Sequence, residues 1–256
     1  FDPFRWSLPV AWKAPLPLYE EQVLEERADS QVVRRSAGET VRILKNTPPP
    51  AMPQWLRYPV TSRTEWDEYK KRLDPAHPAR FPQGLDAFAG PAEARIRPLG
   101  AWIGGTYGVL RDWWGVEEIS LLFYDDIALV EEMMDVLTHL ATGLLDRILA
   151  AGVELDYVAF WEDMAYKGAP LIGPDMFRRF MLEPTRRICQ AAYEYNIPCV
   201  MVDSDGDVTK LLPLWLEAGV NAVEPFEVAA GLDVTAVRRD SGDAFFISGG
   251  FDKRAL

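Results

Sequence analysis

The sequence predicts an α/β chain wound as a TIM-type (β/α)8 barrel, incomplete at its C-terminus and preceded by a β-rich N-terminal extension. Three observations predict it. From Pro98 onward, short apolar runs alternate with longer stretches of helical period, the mark of parallel βα units. The last runs, Asn221-Ala222-Val223 and Phe245-Phe246-Ile247, recur at a short, even spacing that suits a barrel better than an open doubly wound sheet. The 256 residues, 48% of them hydrophobic, suffice for one large core or for a barrel with an appendage.

Residues 1–95 form the extension. They hold most of the prolines, including Pro48, Pro49 and Pro50, and show no long helical period. Between turn signals, residues 22 to 27, 31 to 35 and 40 to 44 alternate or cluster β-branched side chains, which predicts a small antiparallel meander. Thr64 to Leu73 reads as a short charged helix stopped by Pro75 and Pro78.

Residues 96–256 read as the βα units of a single catalytic domain. Its first strand is expected at Leu99 to Ile103. A helix follows from about Asp126 to Ala151, where Ile127, Val130, Met134, Leu137, Ala141, Leu144 and Ile148 recur on one face and Gly152 stops it. Next come the strand Tyr157 to Trp161 and a helix with Pro174 in its first turn, which Pro184 should kink or divide. Then follow the strand Pro198 to Val202 and the helix Val208 to Ala218, with Asp207 as N-cap and Gly219 as stop. The chain opens at Phe1 rather than Met and stops just after a strand-and-turn pattern, as expected of a chain incomplete at both ends.

Charge and composition narrow the partners. With 39 acidic against 27 basic residues, the net charge of −12 would repel a phosphate backbone, so nucleic acid is excluded as an expected partner. Cys189 and Cys199 lie in no metal-binding or CxxC spacing, which fits a reducing cytoplasm. No apolar run approaches the ~20 residues of a membrane span, and no signal peptide opens the chain. A small-molecule substrate is the expectation, with a homodimer as the assembly that could form.

In a βα barrel the reacting groups stand on the loops after the strands, and here those loops are acidic. The strand ending at Trp161 delivers Glu162 and Asp163, the next delivers Asp203, Asp205 and Asp207, and the later ones deliver Glu224, Glu227 and Asp252. Carboxylates crowded in a partly dry pocket repel, so one should keep its proton or a cation should bind. Asp163, Asp205 and Glu162 are therefore the candidate catalytic residues. Tyr107, Gly105, Asp203, Glu224, Glu227 and Asp252 are the candidate substrate contacts, and Asp203, Asp205 and Glu227 would hold a metal if one binds. The plain alternatives are turns using Asp for their own backbone, solvated Glu side chains, and a helix N-cap at Asp207. Gly104, Gly105 and Gly108 lack the GxGxxG spacing, which points to tight packing or room for a ligand. His77 and His139 read as structural, and no Ser/His/Asp or Cys/His nucleophile is visible.

Together these segments resemble the uroporphyrinogen decarboxylase superfamily, which includes corrinoid-linked methyltransferases. Leu99 to Gly108 with Trp114-Gly115-Val116-Glu117-Glu118 is similar to its strand and Gly-rich loop. Phe160 to Met164, then Leu171 to Phe177 and Phe180 to Pro184, resembles its acidic strand end, Gly-Pro turn and Phe-rich helix. Asp203 to Asp207 with Gly219 to Ala222 resembles the next unit, and Gly249 to Lys253 a late turn. The likeness covers roughly residues 50–256. Of the Arg-Gln-Ala-Gly-Arg-Tyr segment by which tetrapyrrole decarboxylases grip carboxylates, only Arg35-Ser36-Ala37-Gly38 is reminiscent, and their early Phe-Ser-Asp strand has no counterpart. Where the methyltransferase branch carries zinc-binding His-x-Cys, this chain reads Asp203-Ser204-Asp205.

The resemblance implies first a cofactor-independent decarboxylase of a carboxylated tetrapyrrole-like or small organic substrate, in which Asp163 or Asp205 returns the proton. Its alternative is a methyltransferase passing a methyl group from a small O- or N-methyl compound to a corrinoid protein, with zinc or another divalent metal. A barrel that binds a ligand without chemistry is the third reading.

Overall fold

The computed structural model describes residues 5–48, 51–91 and 94–255; Pro49 and Pro50 of the proline run lie outside them. Strand β1 (Trp6–Leu8) is followed by β2 (Gln22–Glu26), β3 (Ser30–Arg34), β4 (Thr40–Leu44) and β5 (Gln54–Arg57). Helix α1 (Arg63–Tyr69) starts at Ser62, whose side chain accepts the Glu65 N–H. Next come β6 (Leu99–Gly104), α2 (Tyr107–Trp114), α3 (Val116–Asp125), α4 (Ile127–Ala150), β7 (Tyr157–Trp161) and the small β8 (Ala165–Tyr166) and β9 (Ala169–Pro170). The chain goes on through α5 (Pro174–Phe180), α6 (Leu182–Glu194), β10 (Cys199–Asp203), α7 (Leu212–Ala218), β11 (Ala222–Phe226), α8 (Val234–Ser241) and β12 (Phe246–Gly249).

Six strands form one parallel sheet in the order β1-β6-β7-β10-β11-β12. The order follows the chain and never reverses, which is barrel winding and not that of a doubly wound sheet. The first strand of this sheet is Trp6–Leu8, not the expected Leu99 to Ile103. The sheet also curls. Arg5, one residue before β1, pairs with Glu224 of β11. In a flat sheet those strands would stand roughly 19 Å apart, beyond the reach of both side chains. The curl stops short of closure, for β1 and β12 do not pair among the described residues.

Side-chain parity divides the sheet into two faces. Ala101, Ile103, Val158, Phe160, Val200, Val202 and Val223 join the helices in the main core, whereas Trp102, Tyr157, Ala159, Cys199, Met201 and Ala222 cluster on the inner face. Helix α4 lies against the outer face through Val130, Met134, Leu137, Ala141 and Ile148, as its period predicts, with the Asp126 carboxylate accepting the Leu129 N–H at 3.0 Å. Pro184 does divide its helix: α5 ends before Met181, and Pro184 takes a place in the first turn of α6.

Two local expectations need correction. The antiparallel sheet has a fourth strand, β5, beyond the expected meander. Helix α7 starts at Leu212 and not at Val208, because a helix from Val208 would drive the Pro213 ring into the carbonyl four residues back. Asp207 is accordingly not its N-cap; it accepts the Thr209 N–H at 3.0 Å in a turn.

Candidate functional site

At the C-terminal ends of the parallel strands lies a cavity of about 760 Å³, walled by Trp12, Lys13, Trp55, Arg111, Trp161 and Asp163. A second cavity, of about 880 Å³, opens at the opposite end beside Trp6, Leu99 and Tyr157, where a βα barrel carries no reacting groups. In the first, charges run in series along one wall. The Lys13 ammonium donates to Asp112 at 2.6 Å and lies 3.7 Å from the centre of the Trp161 ring and 5.0 Å from that of Trp12. Arg111 stands 3.9 Å from Asp112 and donates at 2.9 Å to the Asp163 carboxylate, as well as to the Asp163 carbonyl. Across from this wall, Ser36, Ala37 and Glu39 bring the β3–β4 turn to the cavity.

The turn after β7 separates its two acids. Glu162 is only 2% exposed and points to the helix side. Its oxygens accept the Thr106 N–H at 2.6 Å, the Thr106 hydroxyl at 2.8 Å and the Gly108 N–H at 3.2 Å. It thus satisfies the start of α2, whose N-terminus favours negative charge. Burial raises its pKa while those hydrogen bonds oppose the shift. Glu162, expected as a catalytic group, is thus directed to the start of α2 and does not line the cavity.

Asp163 takes the other direction. Its φ of +36°, unusual for a side chain other than glycine, turns it to the cavity wall, and its N–H donates to the Asp203 carbonyl at 3.1 Å.

Tyr107 and Gly105, expected as substrate contacts, do not line the cavity. Tyr107 is fully buried and stacks on Phe123 with ring centres 6.3 Å apart. A Cβ on Gly105 would stand 2.1 Å from the Trp161 carbonyl oxygen, and one on Gly108 2.5 Å from that of Glu162. These glycines let the loop close onto β7 and are explained by packing.

Acid neighbours crowd the ends of β10 and β11. Asp203 and Glu224 are register partners on the inner face, next to Trp161 of β7. Burial, then repulsion from Glu224, Asp205 and Asp163, pushes the Asp203 carboxyl up to about 6, against the pull of Arg5. Glu224 is held by Arg5 and by the Ser248 hydroxyl, which donates at 3.0 Å. Glu227 accepts the Gly206 N–H at 3.0 Å and so fixes the turn carrying Asp205.

Asp252 is set apart. It accepts from the Arg254 backbone at 3.0 Å and from its guanidinium at 2.9 and 2.7 Å, and Arg254 holds its carboxyl down at about 2.

Asp163, Asp205 and Glu224 therefore act on Asp203, whereas Glu162, Tyr107, Gly105 and Asp252 face elsewhere. The sequence reading missed Trp12, Lys13 and Arg111, which come from the extension and a helix. Lys13 left no signal; Arg111, one turn after the Gly-rich loop, was the more findable of the two.

The zinc of the corrinoid-linked branch does not fit these residues. Among the described residues, no three His, Cys, Asp or Glu side chains form a group that could hold a metal ion. Asp203, Asp205 and Glu227 do not assemble as ligands, and the buried Ser204 between the first two accepts the Met164 N–H at 3.0 Å.

Parallel strands wound in chain order, with charged groups at their C-terminal mouth, define the class of TIM-type βα folds. Within that class the chain belongs to the uroporphyrinogen decarboxylase (URO-D) family, whose model matches residues 30–256. Among solved structures it is similar to a methyltransferase from Methanosarcina mazei, at 15% identity and a TM-score of 0.52. That match covers 77% of this chain and 56% of the methyltransferase, so the chain spans little more than half of its length. No curated protein matches. No helix among the described residues is long and apolar enough to cross a membrane.

Proposed function

We propose that the chain is a decarboxylase that needs no cofactor and acts on a small carboxylated substrate bound in the strand-end cavity. The observation that carries this reading is the Asp203 carboxyl, crowded by Glu224, Asp205 and Asp163 and raised to about 6. An acid so placed keeps its proton up to about pH 6, well above the range of an ordinary carboxyl. Asp203 takes the role expected of Asp163 or Asp205, because Asp163 is occupied by Arg111.

Lys13 and Arg111 line the cavity and supply cationic donors that the substrate joins, while Arg111 keeps its hold on Asp163. Trp12, Trp55 and Trp161 surround it with apolar surface, where a carboxylate is poorly hydrated and its conversion to neutral carbon dioxide is favoured. The carbon–carboxylate bond breaks and leaves its electron pair on carbon. Asp203, the register partner of the cavity-lining Trp161, delivers its proton there, becomes a carboxylate, and is reprotonated from water.

The test is carbon dioxide release from uroporphyrinogen and from a panel of aromatic and aliphatic acids. Asp203→Asn is expected to lower kcat by about 100-fold or more with KM little changed. Wild-type turnover should fall as pH rises through about 6, because the ionised acid has no proton to give. Undiminished turnover in Asp203→Asn, or corrinoid-dependent demethylation by zinc-loaded protein, would overturn the proposal.

A further inference from the structure

The lining of the cavity includes polar groups that no step above uses. Tyr69 lines the cavity yet is only 1% exposed, and its hydroxyl has no hydrogen-bond partner among the described residues. The ring is fixed, with Trp113 5.1 Å and Tyr19 6.3 Å away between centres. Glu39 lines the same cavity; its Oε1 lies 3.9 Å from Arg35, while its buried Oε2 has no hydrogen-bond partner among the described residues. A buried donor and a buried acceptor are thus both left unmade, which is costly unless something fills the gap.

We propose that Tyr69 and Glu39 form a subsite for a hydroxyl group carried on an aromatic ring, that is, for a phenolic ligand. This rests on the reading of the cavity as a substrate site and adds a substrate class to it. Burial, and then the nearby Tyr19, Glu39 and Asp112, raise the Tyr69 pKa, so the phenol stays protonated and donates. Glu39 as a carboxylate only accepts. A hydroxyl answers both, donating to Glu39 and accepting from Tyr69. A carboxylate would meet the charge of Glu39, and an ammonium could not accept from Tyr69. The indoles of Trp12, Trp55 and Trp161 provide the faces against which a ring packs.

The test compares 4-fluorophenol with 4-fluorotoluene, nearly the same shape without the hydroxyl, by fluorine NMR of the ligand. Wild-type protein is expected to bind the phenol roughly tenfold or more tightly than the toluene. Tyr69→Phe and Glu39→Gln should each bring that ratio towards one and leave 4-fluorotoluene binding unchanged. Tyr69→Phe should not lower Tm, since it removes a hydroxyl with no internal partner. A wild-type ratio near one, or a ratio that survives both substitutions, would overturn the proposal and leave an internal water as the occupant. If neither probe binds wild-type protein, the subsite falls together with the cavity as an aromatic ligand site. Carbon dioxide release plays no part in this measurement, so the failure of either reading is visible without the other.

Discussion

Two neighbouring strand ends carry the same kind of residue and come to opposite ends. After β7, the Glu162 carboxylate meets two backbone N–H groups and a hydroxyl. At the last residue of β10, the Asp203 carboxyl meets three other acids and one guanidinium. Donors surround the first carboxyl, and mostly acids surround the second. Acidity at a barrel mouth therefore becomes reactive where the backbone leaves it without donors, and becomes scaffolding where donors point at it.

The comparison breaks most readily at Glu162. Glu162→Ala orphans the start of α2 and should cost about 3 kcal/mol in chemical unfolding, as expected when a buried charged acceptor is lost. A cost below about 1 kcal/mol would mean that the two strand ends do not differ as described.

Asp203→Asn sharpens the contrast with a smaller effect of opposite sign. Asp203 rises from an ordinary 3.8 to about 6 in the folded state, so its stability share is fully present below about pH 4 and lost as pH rises through about 6. The asparagine suffers no such loss. After discounting for partial exposure, the variant should be more stable than wild type by about 1 kcal/mol at pH 8 and equal to it near pH 4. Unfolding curves at the two pH values decide it; no pH dependence in the difference would remove the acid crowding.

Smallest of all is Asp252→Asn, expected to change neither turnover nor unfolding measurably, because its bonds go to Arg254 two residues on. A loss of turnover of more than about threefold would return Asp252 to the working mouth.

Much of the architecture was legible because burial leaves a pattern. Strands β6, β7 and β10 are buried on both faces and read as apolar runs, and α4 shows its inward stripe. Strand β1 was not legible, since three residues before Pro9 are too few for any period. Neither was β5, which is exposed along its whole length. At the site, position after a strand found the acids but not their directions. Successive residues alternate faces, so Trp161 and Asp203 look inward while Glu162 and Ser204 look outward, a parity available from sequence alone. Tyr69, Lys13 and Trp12 escaped because long-range packing of the extension brings them to the mouth, and nothing local announces it.

The pairing of Arg5 with Glu224 also bears on how the chain is made. Their separation of 219 positions means that ribosomal synthesis releases the cation long before its anion exists. At usual elongation rates the delay is about ten to forty seconds. Arg5 also lies over the Tyr157 ring of β7 and against the Met201 sulfur of β10, so these partners emerge first and the reach to the fifth strand is completed last, when Glu224 appears.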